Sequence, residues 1–273
     1  MPTKLFHRLA QITTQCGPEV SPIIEIPPVS EWAKKSLNFH ADKIQTSVLD
    51  HDAHRLILCC SRQWGKTTII AIKALHTAIF QPGSEIVVIS GSLKQAGLLL
   101  NKVCESAAVL GFPRKRVLGY EQSLHLPNGS KIFAVANSEK SSRGYTGNIV
   151  IVDEAALVQD DVVGSASPTL ARTNGKLWLL STPYGQTGLF YNVWHDKRLT
   201  DWLKVKATID DSPYATPAFI AEQKRLFPFN FRQDFYCEFT PAKGSLLSRE
   251  RVEKMIDPAI AHIPFPRLFK ESL

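Results

Sequence analysis

Gly65-Lys66-Thr67-Thr68 is the run in this chain with the plainest chemical use. A glycine lets the backbone turn closely around an anion, a lysine brings a cation to it, and the threonine after it offers a hydroxyl to a divalent metal. An apolar stretch from Leu56 to Cys60 and the loop Ser61-Arg62-Gln63-Trp64 precede the run; Ile69, Ile70, Ala71, Ile72 and Ala74 follow it. Strand, tight loop, Gly-Lys-Thr and helix is the order of a phosphate-binding loop. There the amides and dipole of the new helix face the anion, Lys66 reaches the β- and γ-phosphates, and Thr67 holds Mg²⁺. The full pattern has a glycine where Cys60 stands. A bare Gly-Lys-Thr is also common by chance, so these residues alone leave nucleotide binding open.

Two more apolar runs end in side chains suited to the same chemistry. Asn148 to Glu154 reads NIVIVDE, a central strand whose last residues carry two carboxylates to the edge of a sheet. Asp153 there would hold Mg²⁺ through its water shell, and Glu154 would polarise the water that attacks the γ-phosphate. Strands that happen to end in two acids are frequent, and the order behind the Gly-Lys-Thr loop is what gives the pair weight. Lys176 to Leu180, KLWLL, ends in Ser181-Thr182-Pro183, which suits any strand exit but also places a hydroxyl beside a γ-phosphate. Gln45 lies in NFHADKIQTSVLDH, a short helix just ahead of the first strand. Its amide offers a donor and an acceptor, matching the edge of adenine; the bland alternative is a solvated helix residue.

The elements that must position these groups alternate between strands and helices. A helix from Thr67 to about Phe80 ends at Gln81-Pro82-Gly83, and EIVVIS, Glu85 to Ser90, is a strand buried on both faces. Leu93 to Leu110 is helical, with Leu98, Leu99, Val103, Ala107 and Leu110 as the apolar stripe. SLHLPNGSKIFAVA reads as two short strands around a Pro-Asn-Gly turn. Gly188 to Lys197 is a helix with Phe190, Tyr191 and Trp194 on its apolar face, and Trp202 to Ala207 is a further strand. Two helices follow around Pro228, carrying Phe227, Phe229, Phe231, Phe235, Tyr236 and Phe239; packing of a small helical unit explains such a set more readily than stacking on bases. These signals divide the chain into an extended lead-in (1–37, with one short helix around Ser30 to Ser36), an α/β core (38–207), and a small helical subdomain with a tail containing one short helix (208–273).

Bulk composition is permissive. The chain has 273 residues, 44% of them hydrophobic and 21% charged, as in an ordinary globular protein. No apolar run approaches the roughly 20 residues of a membrane span, and the N-terminus lacks the apolar core of a secretory signal. Cys16, Cys59, Cys60, Cys104 and Cys237 show no metal-ligand spacing. Cys59 and Cys60, neighbours on a buried strand, read as small core residues in a reducing cytoplasm. A net charge of +7 permits contact with nucleic acid without establishing it.

SRQWGKTT, IVIVDEAA and LLSTPYGQTG, in this order and spacing, resemble the ATPase domain of phage terminase large subunits, over about residues 38 to 240. The departure at Cys60 is shared by that family, whose loop instead carries an arginine, here Arg62. The resemblance implies a P-loop NTPase with a central, mainly parallel sheet flanked by helices, a small C-terminal helical subdomain that moves against it, and ATP with Mg²⁺ as cofactors. Carried over, Gln45 contacts adenine, Ser61 to Thr68 form the nucleotide-binding loop, and Arg62 touches phosphate. Arg143, in the loop Ser141 to Gly147, is similar in placement to the arginine that reaches a neighbouring subunit's nucleotide, and Ser181-Thr182-Pro183 to the motif coupling hydrolysis to movement. Double-stranded DNA, a portal protein, a small terminase subunit and a pentameric ring in the cytoplasm of the bacterial host are the implied partners and setting. Family members continue into a nuclease domain with an acidic triad; no such cluster follows here, so the expectation from these residues is a motor without nuclease activity. A helicase- or transposition-type ATPase and a non-catalytic prophage remnant are the competing readings, the former weakened by the lack of room for a second motor core, the latter by the intact Lys66, Thr67, Asp153, Glu154 and Thr182.

Overall fold

The computed structural model describes residues 25–114, 122–135, 147–212 and 215–241, with Met255. Arg143 and the short helix expected in the tail lie outside the described residues. Met1–Thr240 forms one compact unit. Its elements run α1 (Val29–Leu37), α2 (Lys43–Asp50), β1 (Arg55–Cys60), α3 (Lys66–Phe80), β2 (Glu85–Ile89), α4 (Leu93–Val109), β3 (Ser123–His125), β4 (Lys131–Val135), β5 (Ile149–Asp153), α5 (Asp160–Ala166), β6 (Lys176–Ser181), α6 (Gly188–His195), β7 (Trp202–Ala207), α7 (Pro217–Leu226) and α8 (Pro228–Tyr236). Short 3₁₀ turns cover Ala155–Leu157, Ser167–Thr173 and Ile209–Asp211.

Among the described residues the strands form one seven-stranded sheet in the order β3-β4-β2-β5-β6-β1-β7. Every pairing is parallel except that of β3 with β4, the hairpin around Asn128-Gly129. Parallel strands joined by helices are covered on both faces, which is why the runs at β1, β2, β5 and β6 are apolar without alternation. Leu56, Leu58, Ile86, Val88, Ile149 and Ile151 point into a core shared with α1 to α4. Ile57, Cys59, Val87, Ile89, Val150 and Val152 point into a second core with α5 and α6. Cys59 and Cys60 are fully buried, one in each core, as small apolar residues.

Packing corrects two expectations and bears out a third in part. Residues 29–37 are part of the first core: Trp32 and Ala33 are buried, and the Trp32 ring meets His76 and Phe80 of α3 edge-on at 5.2 and 6.3 Å. In α4 the buried stripe is Ala96, Leu99, Leu100, Val103 and Ala107, whereas Leu98 is 57% exposed. The stripe follows the 3.6-residue period from Ala96, and Leu98 falls on the opposite side of the helix. Of the aromatics near α8, Phe231 and Phe235 build a small cluster with Ile209, and Phe239 packs on the second core; Phe227 and Phe229 stay exposed, Phe229 at 90%. Pro228 sits at the first turn of α8, where its missing N–H costs nothing.

Candidate nucleotide site

The loop between β1 and α3 is pinned at each step. Ser61 N–H donates to Ala207 O of β7 at 2.8 Å, and Arg62 N–H donates to Asp234 O of α8 at 2.9 Å. Gln63 has φ 61° and Gly65 φ 103°, so the chain turns through left-handed backbone before α3 begins at Lys66. At Gly65 this conformation favours glycine, and a Cβ there would lie 3.2 Å from Gln45 Nε2. Trp64 is buried in the first core, anchoring the loop from beneath.

Gln45 is no solvated residue. It is 7% exposed, and its Nε2 donates to Trp64 O at 3.2 Å while its Oε1 accepts from Asp42 N–H at 3.2 Å. Asp42 in return accepts from Gln45 N–H at 2.8 Å, completing a capping box at the start of α2. The amide therefore clamps the back of the phosphate loop. The cap was open to sequence reading, since Asp-x-x-Gln before an apolar run is its signature.

Facing the loop are the ends of β5 and β6. Lys66 Nζ lies 3.1 Å from Glu154 Oε1, and Thr67 Oγ1 lies 3.5 Å from Asp153 Oδ2. Glu154 sits at φ 52°, a left-handed conformation uncommon for a residue with a side chain, at the turn where β5 stops. The Ser181 hydroxyl accepts from Ala156 N–H at 3.2 Å and donates to Thr182 O at 2.8 Å, with Glu154 Oε2 3.5 Å away. Thr182 Oγ1 donates to Cys60 O at 2.9 Å, tying the end of β6 to the start of the loop. Lys66, Thr67, Asp153, Glu154, Ser181 and Thr182, named from separate stretches, are thus brought to the carboxyl edge of adjacent strands, where open α/β sheets bind ligands. Pro183 follows as the chain leaves β6.

Burial pushes the Asp153 carboxyl up to about 6, against the opposing pull of the Lys66 ammonium. A buried carboxylate and a threonine hydroxyl are hard oxygen donors, and Mg²⁺ takes few protein ligands while keeping its waters, so the pair fits that ion. Among the described residues no group of three or more His, Cys, Asp or Glu could hold a metal, and no helix is long and apolar enough to cross a membrane. Two features escaped sequence reading. Arg62 Nε lies 3.3 Å from Asp234 Oδ2, and Ser90, at the end of β2, is fully buried with no partner for its hydroxyl among the described residues. Neither has a local signal, because Asp234 reaches the loop only through the fold and the burial of Ser90 is set by the strands around it.

The chain is similar to known proteins of one family. The family described as terminase large subunit, T4likevirus-type, N-terminal, matches residues 57–254. Terminase large subunits of Thermus phage G20c and Thermus virus P23-45 are each 28% identical over 169 residues, covering 55% of this chain and 35% of their own length. The chain thus spans about a third of the length of these relatives. Among solved structures, the large terminase ATPase domain of Thermus phage P74-26 superposes with a TM-score of 0.68 at 22% identity, over 78% of this chain and all of that one. The large terminase of another thermophilic bacteriophage, in complex with ADP, gives 0.62 at 16% identity, over 78% of this chain and 52% of that one. The HK97 large terminase gives 0.63 at 17%, over 78% and 55%. With the matched family covering the Gly-Lys-Thr loop, both acidic residues and the β6 exit, the chain belongs to the terminase large subunit family, matching its N-terminal part.

Proposed function

We propose that this chain hydrolyses ATP to drive double-stranded DNA into a phage capsid. The observation that carries the reading is the convergence of Lys66, Thr67, Asp153 and Glu154 at one sheet edge, with Lys66 3.1 Å from Glu154 and Thr67 3.5 Å from Asp153. The complexes of a thermophilic bacteriophage's large terminase with ADP and with ATP-γ-S support a nucleotide as ligand of such a domain. In the proposed reaction the amides at the start of α3 and Lys66 hold the β- and γ-phosphates in line. Thr67 and, through water, Asp153 would hold Mg²⁺, which would supply charge neutralisation at the phosphates. The phosphates draw the Lys66 ammonium from Glu154, whose carboxylate then accepts a proton from water as the water oxygen bonds to the γ-phosphorus. The bond from that phosphorus to the β–γ bridging oxygen breaks, leaving ADP and phosphate. In this reading Arg62 contacts the phosphates, Arg143 serves a neighbour's site, and Gln45 contacts adenine through the second amide hydrogen that its bond to Trp64 O leaves over.

Movement would pass outward by two routes. Thr182 links the γ-phosphate end of β6 to Cys60 at the loop, and Arg62 links the loop to α8, in the small helical subdomain proposed to shift against the core. A pentameric ring on a portal, supplied by a small terminase subunit in the host cytoplasm, is the proposed setting. The test is ATP turnover with and without double-stranded DNA. Turnover that rises with DNA and disappears in Lys66→Ala, together with nucleotide binding, supports the reading. Unchanged turnover in Lys66→Ala would place hydrolysis elsewhere.

A further inference from the structure

We infer that Ser90 is a positioning residue of the metal end of this site, its hydroxyl holding a water of the Mg²⁺ hydration shell beside Asp153. The inference rests on the nucleotide-site reading and adds a residue that neither motif nor spacing names. Strands β2 and β5 pair in parallel register from Ile86 with Ile149 to Ile89 with Val152. The next pair in that register is Ser90 with Asp153. Side chains along both strands alternate between the two cores: Ile86, Val88, Ile149 and Ile151 face α3, while Val87, Ile89, Val150 and Val152 face away. Continuing the alternation puts Ser90 on the α3 side with Asp153, which meets Thr67 at the first turn of α3.

Ser90 is 0% exposed, ends an otherwise apolar run, and its Oγ has no hydrogen-bond partner among the described residues. A buried hydroxyl left without a partner is destabilising, and alanine would fill the same place without that cost. An unmet buried hydroxyl calls for an explanation, and a bound water or ion is one. Asp153 Oδ1 is already engaged by Glu154 N–H and Oδ2 faces Thr67, so the water shell of a small, strongly hydrated cation needs other partners at this depth. A serine hydroxyl accepts from a metal-bound water and donates to a further oxygen, which is the kind of outer contact that orients metal ligands.

The experiment reads metal affinity directly. Mn²⁺ is titrated into the full chain with ADP present and free Mn²⁺ is followed by electron paramagnetic resonance, for the parent, Ser90→Ala, Ser90→Cys and Asp153→Ala. The expected result is Mn²⁺ binding weakened about tenfold in Ser90→Ala, with a melting temperature no lower than that of the parent. Parental Mn²⁺ affinity in Ser90→Ala overturns the proposal. Should Ser90→Ala melt lower, the volume-matched Ser90→Cys decides: weakened Mn²⁺ binding in that folded variant supports the role, and parental affinity overturns it. Asp153→Ala separates the two levels. If it binds Mn²⁺ as the parent does, the metal site itself is wrongly placed and the nucleotide reading fails with it.

Discussion

At the residue scale, Glu154 is asked to do two things from one strained position. Its carboxylate neutralises Lys66 at 3.1 Å and in the proposed reaction accepts a proton from water, so the phosphates must draw Lys66 away before Glu154 is free. Glu154→Gln keeps the shape and the turn at φ 52° but cannot take a proton. It is expected to bind nucleotide within a few-fold of the parent while kcat falls by about 100-fold or more, measured by fluorescent-nucleotide titration beside steady-state phosphate release. Parental turnover in this variant would remove Glu154 as the base. Thr182 makes a different claim. Its hydroxyl bonds Cys60 O at 2.9 Å in a buried place, so Thr182→Val should cost about 1–3 kcal/mol by leaving a carbonyl unpaired, whereas Thr182→Ser should recover most of that. Urea midpoints of the two variants test it.

At the element scale, the helix that starts at the phosphate loop is locked along its length. Lys73 of α3 donates to Leu49 O and His51 O, closing the C-terminal end of α2, and burial brings its ammonium down to about 8. One turn further, His76 bonds Pro27 O at 3.0 Å, meets Trp32 edge-on and lies tilted against Phe80. Burial holds the His76 imidazole down at about 4 against an ordinary 6.5. The folded chain therefore carries a neutral ring where the unfolded chain takes up a proton. The contribution is fully present above pH 6.5 and is lost as pH falls through 4, amounting to roughly 3 kcal/mol. In His76→Phe, which keeps a ring and cannot titrate, the fall in unfolding free energy between pH 6.5 and 4 should be shallower by about that much. Equal slopes in parent and variant would show that His76 does not govern the docking of α1.

At the scale of the whole unit, the phosphate loop is held from three sides: by Gln45 behind it, by Thr182 beside it, and by Asp234 of α8 beyond it. These tethers differ in strength. The Arg62 side chain is 66% exposed and that of Asp234 18%, so screening by solvent leaves their side-chain pairing weak. A double-mutant cycle on Arg62→Ala and Asp234→Ala should return less than about 1 kcal/mol. The backbone bond from Arg62 N–H survives both changes. By contrast Phe231, 3% exposed within the small cluster of Ile209 and Phe235, should cost about 3–5 kcal/mol when cut to alanine. The neighbouring Phe229, 90% exposed, should cost under about 0.5 kcal/mol. Chemical denaturation of the two variants distinguishes a packed helical unit from a loosely attached one.

What could be read from the amino-acid sequence was whatever a local pattern determines. Apolar runs without alternation marked β1, β2, β5 and β6 as strands, because a parallel sheet covered on both faces must be apolar on both. The residues that end those runs, Lys66 and Thr67 beyond β1, Asp153 and Glu154 at β5, and Ser181 and Thr182 at β6, could be named because each is fixed to a strand end by counting alone. Local pattern was silent on partnership. That Gln45 turns its amide to Trp64 O, that Arg62 meets Asp234, that β2 lies in register beside β5, and that residues 29–37 belong to the core were decided by strand order and helix packing. Each joins groups far apart in the chain, and such a contact is chosen by the whole set of packed elements, which no window of neighbouring residues contains.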